Sequence, residues 1–208
     1  MLVLSPSAPR LGLVLAHGAG AGMRHPFLET IAGLLADRSV ATLRYEFPYM
    51  EQGKSRTDSP AVCAARVREA VARARAEWPA LPLLAGGKSF GGRMTSIAQA
   101  EKPLDGVIGL AFLGFPLHAP GKPSVSRADQ LFQIEIPMLF LQGSRDEFAQ
   151  PDLLADVTER LGPLATVHPV DGGDHSFKVP KKSGTAGAVM AGLADRIASW
   201  GSSLAARS

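Results

Sequence analysis

Six stretches are rich in apolar residues and too short to be helices. They are "LGLVLA" from Leu11, "VATLRYEF" from Val40, "LPLLAG" from Leu81, "DGVIGLAFLGF" from Asp105, "IPMLFLQG" from Ile136 and "LATVHPV" from Leu164. Near-continuous apolar runs of this length are the mark of strands covered on both faces. Segments of helical spacing lie between them. Phe27, Ile31, Leu34 and Leu35 form one stripe, Cys63, Val67, Val71, Ala74 and Trp78 a second, and Val189, Leu193, Ile197 and Trp200 a third. Ser59-Pro60 is an N-cap followed by proline at the first helical position, and Pro79 stops that helix. Strands alternating with helices imply right-handed crossovers, hence a mostly parallel sheet in a three-layer α/β/α sandwich. "MLVLSPSAPR" at the start is assigned to no element, and "MEQGKSRTDS" reads as a polar loop.

No internal repeat, low-complexity tract or linker divides the chain, so residues 1–208 are read as one domain. Apolar residues make up 46% and charged residues 20%, a globular balance. The net charge of +3 comes from scattered basic residues rather than a stripe, which argues against a nucleic-acid partner. With Cys63 as the only cysteine, no intrachain disulfide forms. No run approaches the ~18 apolar residues of a membrane span, and the first residues lack the basic region of a secretory signal. The expectation is a cytoplasmic protein acting on a small molecule, with no membrane partner.

Ligands of such sheets bind beyond the carboxyl ends of the strands. There the chain carries "HGAGAG", "YEFPYM", "GKSFGG", "GFPLHAPGKP", "GSRDEF" and "DGGDHSF" in turn. "GKS" invites a phosphate-loop reading, but that motif needs a glycine five residues before Gly87, where Pro82 stands. "GKSFG" also fits G-x-S-x-G, in which a serine is lifted into a sharp strand-to-helix turn and flanking side chains would collide. A serine hydroxyl attacks at neutral pH only if a base takes its proton, and a carboxylate then orients that base. Ser89, an acid in "QGSRDEF" (Asp146 or Glu147) and His175 in "GGDHSF" each follow a different strand. They occur in the order Ser, Asp, His.

Together "AHGAG", "GGKSFGGRM", "FLGFPLH", "QGSRDEF" and "GGDHSF" resemble the α/β-hydrolases over essentially the whole chain. The likeness is to a compact, lidless branch of dienelactone-hydrolase-like proteins. The chain is also similar to the hydrolase-like domain in a regulatory subunit of a eukaryotic histone acetyltransferase complex, and "RYEFPYMEQGK" is its most family-specific stretch. The resemblance implies Ser89 as nucleophile, Asp146 as acid and His175 as base. Dienelactone hydrolases proper carry cysteine where Ser89 stands, so that particular activity is not carried over. For the oxyanion, the resemblance implies the backbone N–H of Phe90 and an amide of the "HGAG" loop, Ala19 or its neighbour Gly20. No cofactor and no metal are expected, since Asp174-His175 lacks a third ligand at metal-site spacing. About twenty residues from Pro116 to Ile136, with a short helix in "VSRADQLF", are too few for a cap domain. The cleft is therefore expected to be open, walled by "FPYM" and "FPLH", and suited to short acyl groups.

Other residues have plainer readings. His17 shapes the oxyanion loop, His118 lines the cleft, His168 is structural, and His25 competes with His175 only by residue type. Asp171 and Asp174 are loop caps. Arg44 and Glu46 form an internal ion pair, Cys63 is core, and Arg66, Arg68, Arg73 and Arg75 make a solvated helix face. Lys88 is exposed and without a role. The chain thus reads as a serine hydrolase of esters or thioesters. Its rivals are an interaction module on the same fold and perhydrolysis on the same three residues.

Overall fold

The computed structural model describes residues 1–207. Seven strands form one sheet in the order β1-β3-β2-β4-β5-β6-β7. The strands are β1 (Leu2–Leu4), β2 (Leu11–Ala16), β3 (Val40–Tyr45), β4 (Leu83–Lys88), β5 (Val107–Leu113), β6 (Met138–Gly143) and β7 (Ala165–Val170). Six run parallel, and β1 alone pairs antiparallel, with β3. This edge strand is the element that sequence patterning passed over. It has three residues, of which Val3 and Leu4 are exposed, so no apolar period marks it.

Each strand sends alternate side chains to opposite faces. Val14, Ala16, Leu43, Tyr45, Ala85, Phe112 and Phe140 meet helices α3 (Pro60–Glu77), α4 (Phe90–Glu101) and α5 (Pro151–Leu161). Leu13, Leu15, Leu84, Leu113, Leu139 and Leu141 meet α1 (Pro26–Ala36) and α6 (Ala186–Ala205) on the other face. The sheet is thus buried from both sides, which is why its strands carry so few polar residues. Pro26, Pro60 and Pro151 each open a helix at N1 or N2, where a missing N–H costs nothing. Ser59 Oγ accepts the Val62 N–H, as its capping role requires. One turn of helix, α2 (Pro48–Glu51), follows β3 and runs into the first residues of the stretch that the sequence suggested was loop.

The segment between β5 and β6 contains a 3-10 helix, Ser126–Gln133, and no cap domain. Its Ala128 and Leu131 are buried, and Gln130 Nε2 donates to Ser96 Oγ of α4. Arg73 of α3 is exposed as its spacing suggested, but Arg66, Arg68 and Arg75 are less solvated. Arg68 donates to the Ala98 and Lys102 carbonyls at the end of α4, and Arg66 pairs with Glu51 and Glu69. Cys63 is buried in the core, where burial pushes its thiol up to about 11. Among the described residues no helix is long and apolar enough to cross a membrane.

The middle of the sheet is held at contact distance by glycine. A Cβ on Gly86 would overlap the carbonyl oxygen of Ala111 on β5, which is backbone and cannot move aside. Gly86→Ala is therefore expected to destabilise the fold by about 3 kcal/mol or more, at the upper end of overpacking costs. Chemical denaturation of the purified variant measures this.

Candidate active site

The turn after β4 places Ser89 at φ 49° and ψ −114°, a left-handed region that side chains avoid. Gly87 and Gly91 flank it. The atoms that side chains there would strike belong to the end of β2. A Cβ on Gly87 would lie 2.5 Å from the Ala16 carbonyl oxygen, and one on Gly91 would lie 2.5 Å from that of His17. The glycines thus let the turn dock on its neighbouring strand. Thr95 Oγ1 ties the first turns of α4 by donating to the Gly91 carbonyl.

Asp146 follows β6 and is 2% exposed. The loop carrying His175 is drawn against it because Gly143 leaves room for the Gly173 and Asp174 carbonyls. Arg145 N–H donates to the Gly173 carbonyl, and Asp174 Oδ1 accepts from the N–H groups of Ser176 and Lys178. His175 then bridges the two other residues. Nδ1 is 2.7 Å from Asp146 Oδ2, and Nε2 is 2.8 Å from Ser89 Oγ. With Nδ1–H donating to the carboxylate, the free lone pair of the neutral ring lies on Nε2, facing the serine hydroxyl. Ser89, Asp146 and His175 therefore meet in one hydrogen-bonded chain. Glu147 does not join it.

Two further residues support the acid, and neither stood out in the sequence. Gln142 Nε2 donates to Asp146 Oδ2 at 2.6 Å, while its Oε1 accepts the Phe115 N–H at 2.8 Å. Phe148 donates its N–H to Asp146 Oδ1 and sets its ring against His175, tilted by 33° with centroids 4.2 Å apart.

The loop after β2 is shaped by His17, as expected. Its Nδ1–H donates to the Gly18 carbonyl and its Nε2 accepts the Phe47 N–H, which needs the neutral ring. Burial lowers the pKa of His17 in keeping with that state. The Gly20 N–H is taken by the Tyr49 hydroxyl at 3.0 Å. The Ala19 N–H is left without a protein acceptor among the described residues. Phe90 opens α4, where a helix leaves its first amides unpaired.

Several expectations need correction. The cleft of about 590 Å³ beside Ser89 and His175 is walled by Gly18, Ala19 and Ala21, by His25, Phe27 and Leu28, by Phe148 and by Ser176 and Lys178. Phe47, Tyr49, Phe115 and Leu117, read as its walls, are fully buried in the core. His118 is likewise buried and donates to the Ala119 carbonyl. Arg44 and Glu46 do not pair with each other. Arg44 pairs with Glu29 and donates to the Met23 carbonyl, while Glu46 accepts the Met23 N–H. Lys88 is half-buried in the cleft, with Nζ 2.6 Å from the His175 carbonyl oxygen. His25 lines the cleft and caps α1, accepting the Phe27 N–H. Among the described residues no group of three or more His, Cys, Asp or Glu is placed to hold a metal ion.

A family model described as alpha/beta hydrolase domain matches residues 9–201. The chain belongs to the alpha/beta hydrolases. Solved structures agree on the fold at low identity. The chain is 19% identical to a dienelactone hydrolase from Anabaena variabilis, TM-score 0.76, covering 95% of this chain and 88% of that one. XC6422 from Xanthomonas campestris, an α/β serine hydrolase without a lid, is 20% identical with a TM-score of 0.70, covering 94% and 87%. The esterase domain of a Rhodothermus marinus protein is 16% identical with a TM-score of 0.69, covering 95% and 90%. Among the described residues this alpha/beta hydrolase carries only a 3-10 helix, and no cap domain, between β5 and β6.

Removing Gln142 would strand two buried groups at once. Gln142→Leu leaves the Phe115 N–H unpaired and takes a donor from Asp146. The expected loss of about 2–4 kcal/mol in unfolding free energy would be read by denaturant titration.

Proposed function

We propose that this hydrolase cleaves esters or thioesters of short acyl groups through an acyl-enzyme on Ser89. The observation that supports this reading most is the unbroken chain from Ser89 Oγ through His175 to Asp146, opening onto the cleft. His175 Nε2 takes the hydroxyl proton as Oγ attacks the carbonyl carbon. Asp146 keeps the ring in the required tautomer and stabilises the imidazolium. The N–H groups of Ala19 and Phe90 receive the oxyanion, Gly20 being committed to Tyr49. The imidazolium then protonates the leaving alcohol or thiol. Water, activated by the same ring, releases the acid and restores Ser89.

Ser89→Ala and His175→Ala are each expected to lower kcat by about four to six orders of magnitude, with a smaller loss for Asp146→Asn. Circular dichroism would show that the fold is kept. A fluorophosphonate should phosphonylate Ser89, with loss of fluoride, and peptide mapping identifies the site. Near-wild-type turnover by Ser89→Ala would end the proposal.

The cleft's apolar lining of Phe27, Leu28 and Phe148 favours a few carbons, and no residue of the 3-10 helix lines it. Each methylene left in water forgoes ~0.8 kcal/mol. Across p-nitrophenyl esters of rising length, kcat/KM should therefore level off after a few carbons. A steep rise to long chains would rule out the short-acyl preference.

A further inference from the structure

The cleft beside Ser89 is lined by two lysines, Lys88 and Lys178, and by no carboxylate. The nearest acids are already engaged. Asp146 lies behind His175 and accepts from His175, Gln142 and Phe148, while Asp174 Oδ1 accepts from two backbone amides. Lys88 reaches the cleft from the last position of β4, directly before the serine. One of its three N–H groups goes to the His175 carbonyl, and its Nζ stands 5.5 Å from the centroid of the Phe177 ring. The other two have no protein acceptor among the described residues.

We propose that the Lys88 ammonium, with Lys178 on the rim, receives an anionic group of the substrate. The preferred substrates are then esters or thioesters bearing a carboxylate a few atoms from the scissile carbonyl. This assignment rests on the serine-hydrolase reading above. A carboxylate fits because its two oxygens and single charge match two free protons on one cation. A dianionic phosphate would carry excess charge into a half-buried site. Burial pulls the Lys88 pKa down to about 8, against the attraction of Asp146 and Asp174, so the charged form lacks part of its hydration. A bound anion supplies what water does not. His175, Lys178 and His25 are the other titratable groups around this space.

Methyl hydrogen succinate and methyl butyrate differ by a carboxylate in place of a methyl group, and methanol release follows both. At pH 7 the half-ester should be favoured about tenfold in kcat/KM, chiefly through KM. That preference should fall as the pH rises through about 8, where Lys88 loses its proton. In Lys88→Met the preference should vanish. Both rates will drop with the lost bond to the His175 loop, so the ratio is the readout. The wild-type pH dependence stands on its own if the variant folds poorly. Equal use of the two esters by the wild type, or an unchanged ratio in Lys88→Met, overturns the assignment while leaving the hydrolase reading intact. If neither ester turns over, the hydrolase reading is the one in question. Calorimetric binding of methyl hydrogen succinate to Ser89→Ala then decides the matter. Binding lost in Ser89→Ala/Lys88→Met supports the lysine site, and binding equal in the two, or undetectable in both, overturns it.

Discussion

At the carboxyl edge of the sheet, backbones from separate segments touch directly. The carbonyls of Ala16 and His17 lie against Gly87 and Gly91, that of Ala111 against Gly86, and those of Gly173 and Asp174 against Gly143. A hydrogen bond weakens steeply within a few tenths of an ångström and a few tens of degrees. Ser89, His175 and Asp146 arrive on three different segments, so their chain of contacts at 2.7 and 2.8 Å depends on how closely those segments approach. Side chains at the glycine positions would push the segments apart. The packing of the sheet edge and the geometry of the site are the same constraint.

Buried polar groups extend that constraint outward. Gln142 joins the acid to the loop after β5, and His17 joins the loop after β2 to the one after β3. Tyr49, although buried in the core, sends its hydroxyl to the Gly20 amide and so fixes which amides of that loop remain free. Each link runs between loops that follow different strands. Displacing one loop would therefore break partners on its neighbours, which is how a small sheet without a cap can hold a site rigidly.

The central strands and long helices were legible because burial on both faces writes an unmistakable apolar pattern. Ser89, Asp146 and His175 stood out because each follows a strand, where loops converge. What escaped notice has physical causes. Leu2–Leu4 is an exposed edge strand, and Pro48–Glu51 is a single turn, so neither carries a period. "FPYM" and "FPLH" lie at strand ends and so suggest cleft walls, yet their large side chains turn inward to fill the core. Lys88, Arg68 and Arg44 bond to backbone carbonyls, and a carbonyl leaves no trace in the residue type. Gln142 sits within a strand that otherwise reads as apolar filler. Only its two bonds reveal it.

Ser89 is held at a positive φ that a glycine would adopt freely. Such a conformation costs on the order of 1–3 kcal/mol and persists because its surroundings impose it. Replacing the serine by glycine would thus relax the turn and raise thermal resistance while deleting the hydroxyl. In this chain a strained backbone position carries the serine proposed to react, so robustness and the proposed chemistry compete at a single residue.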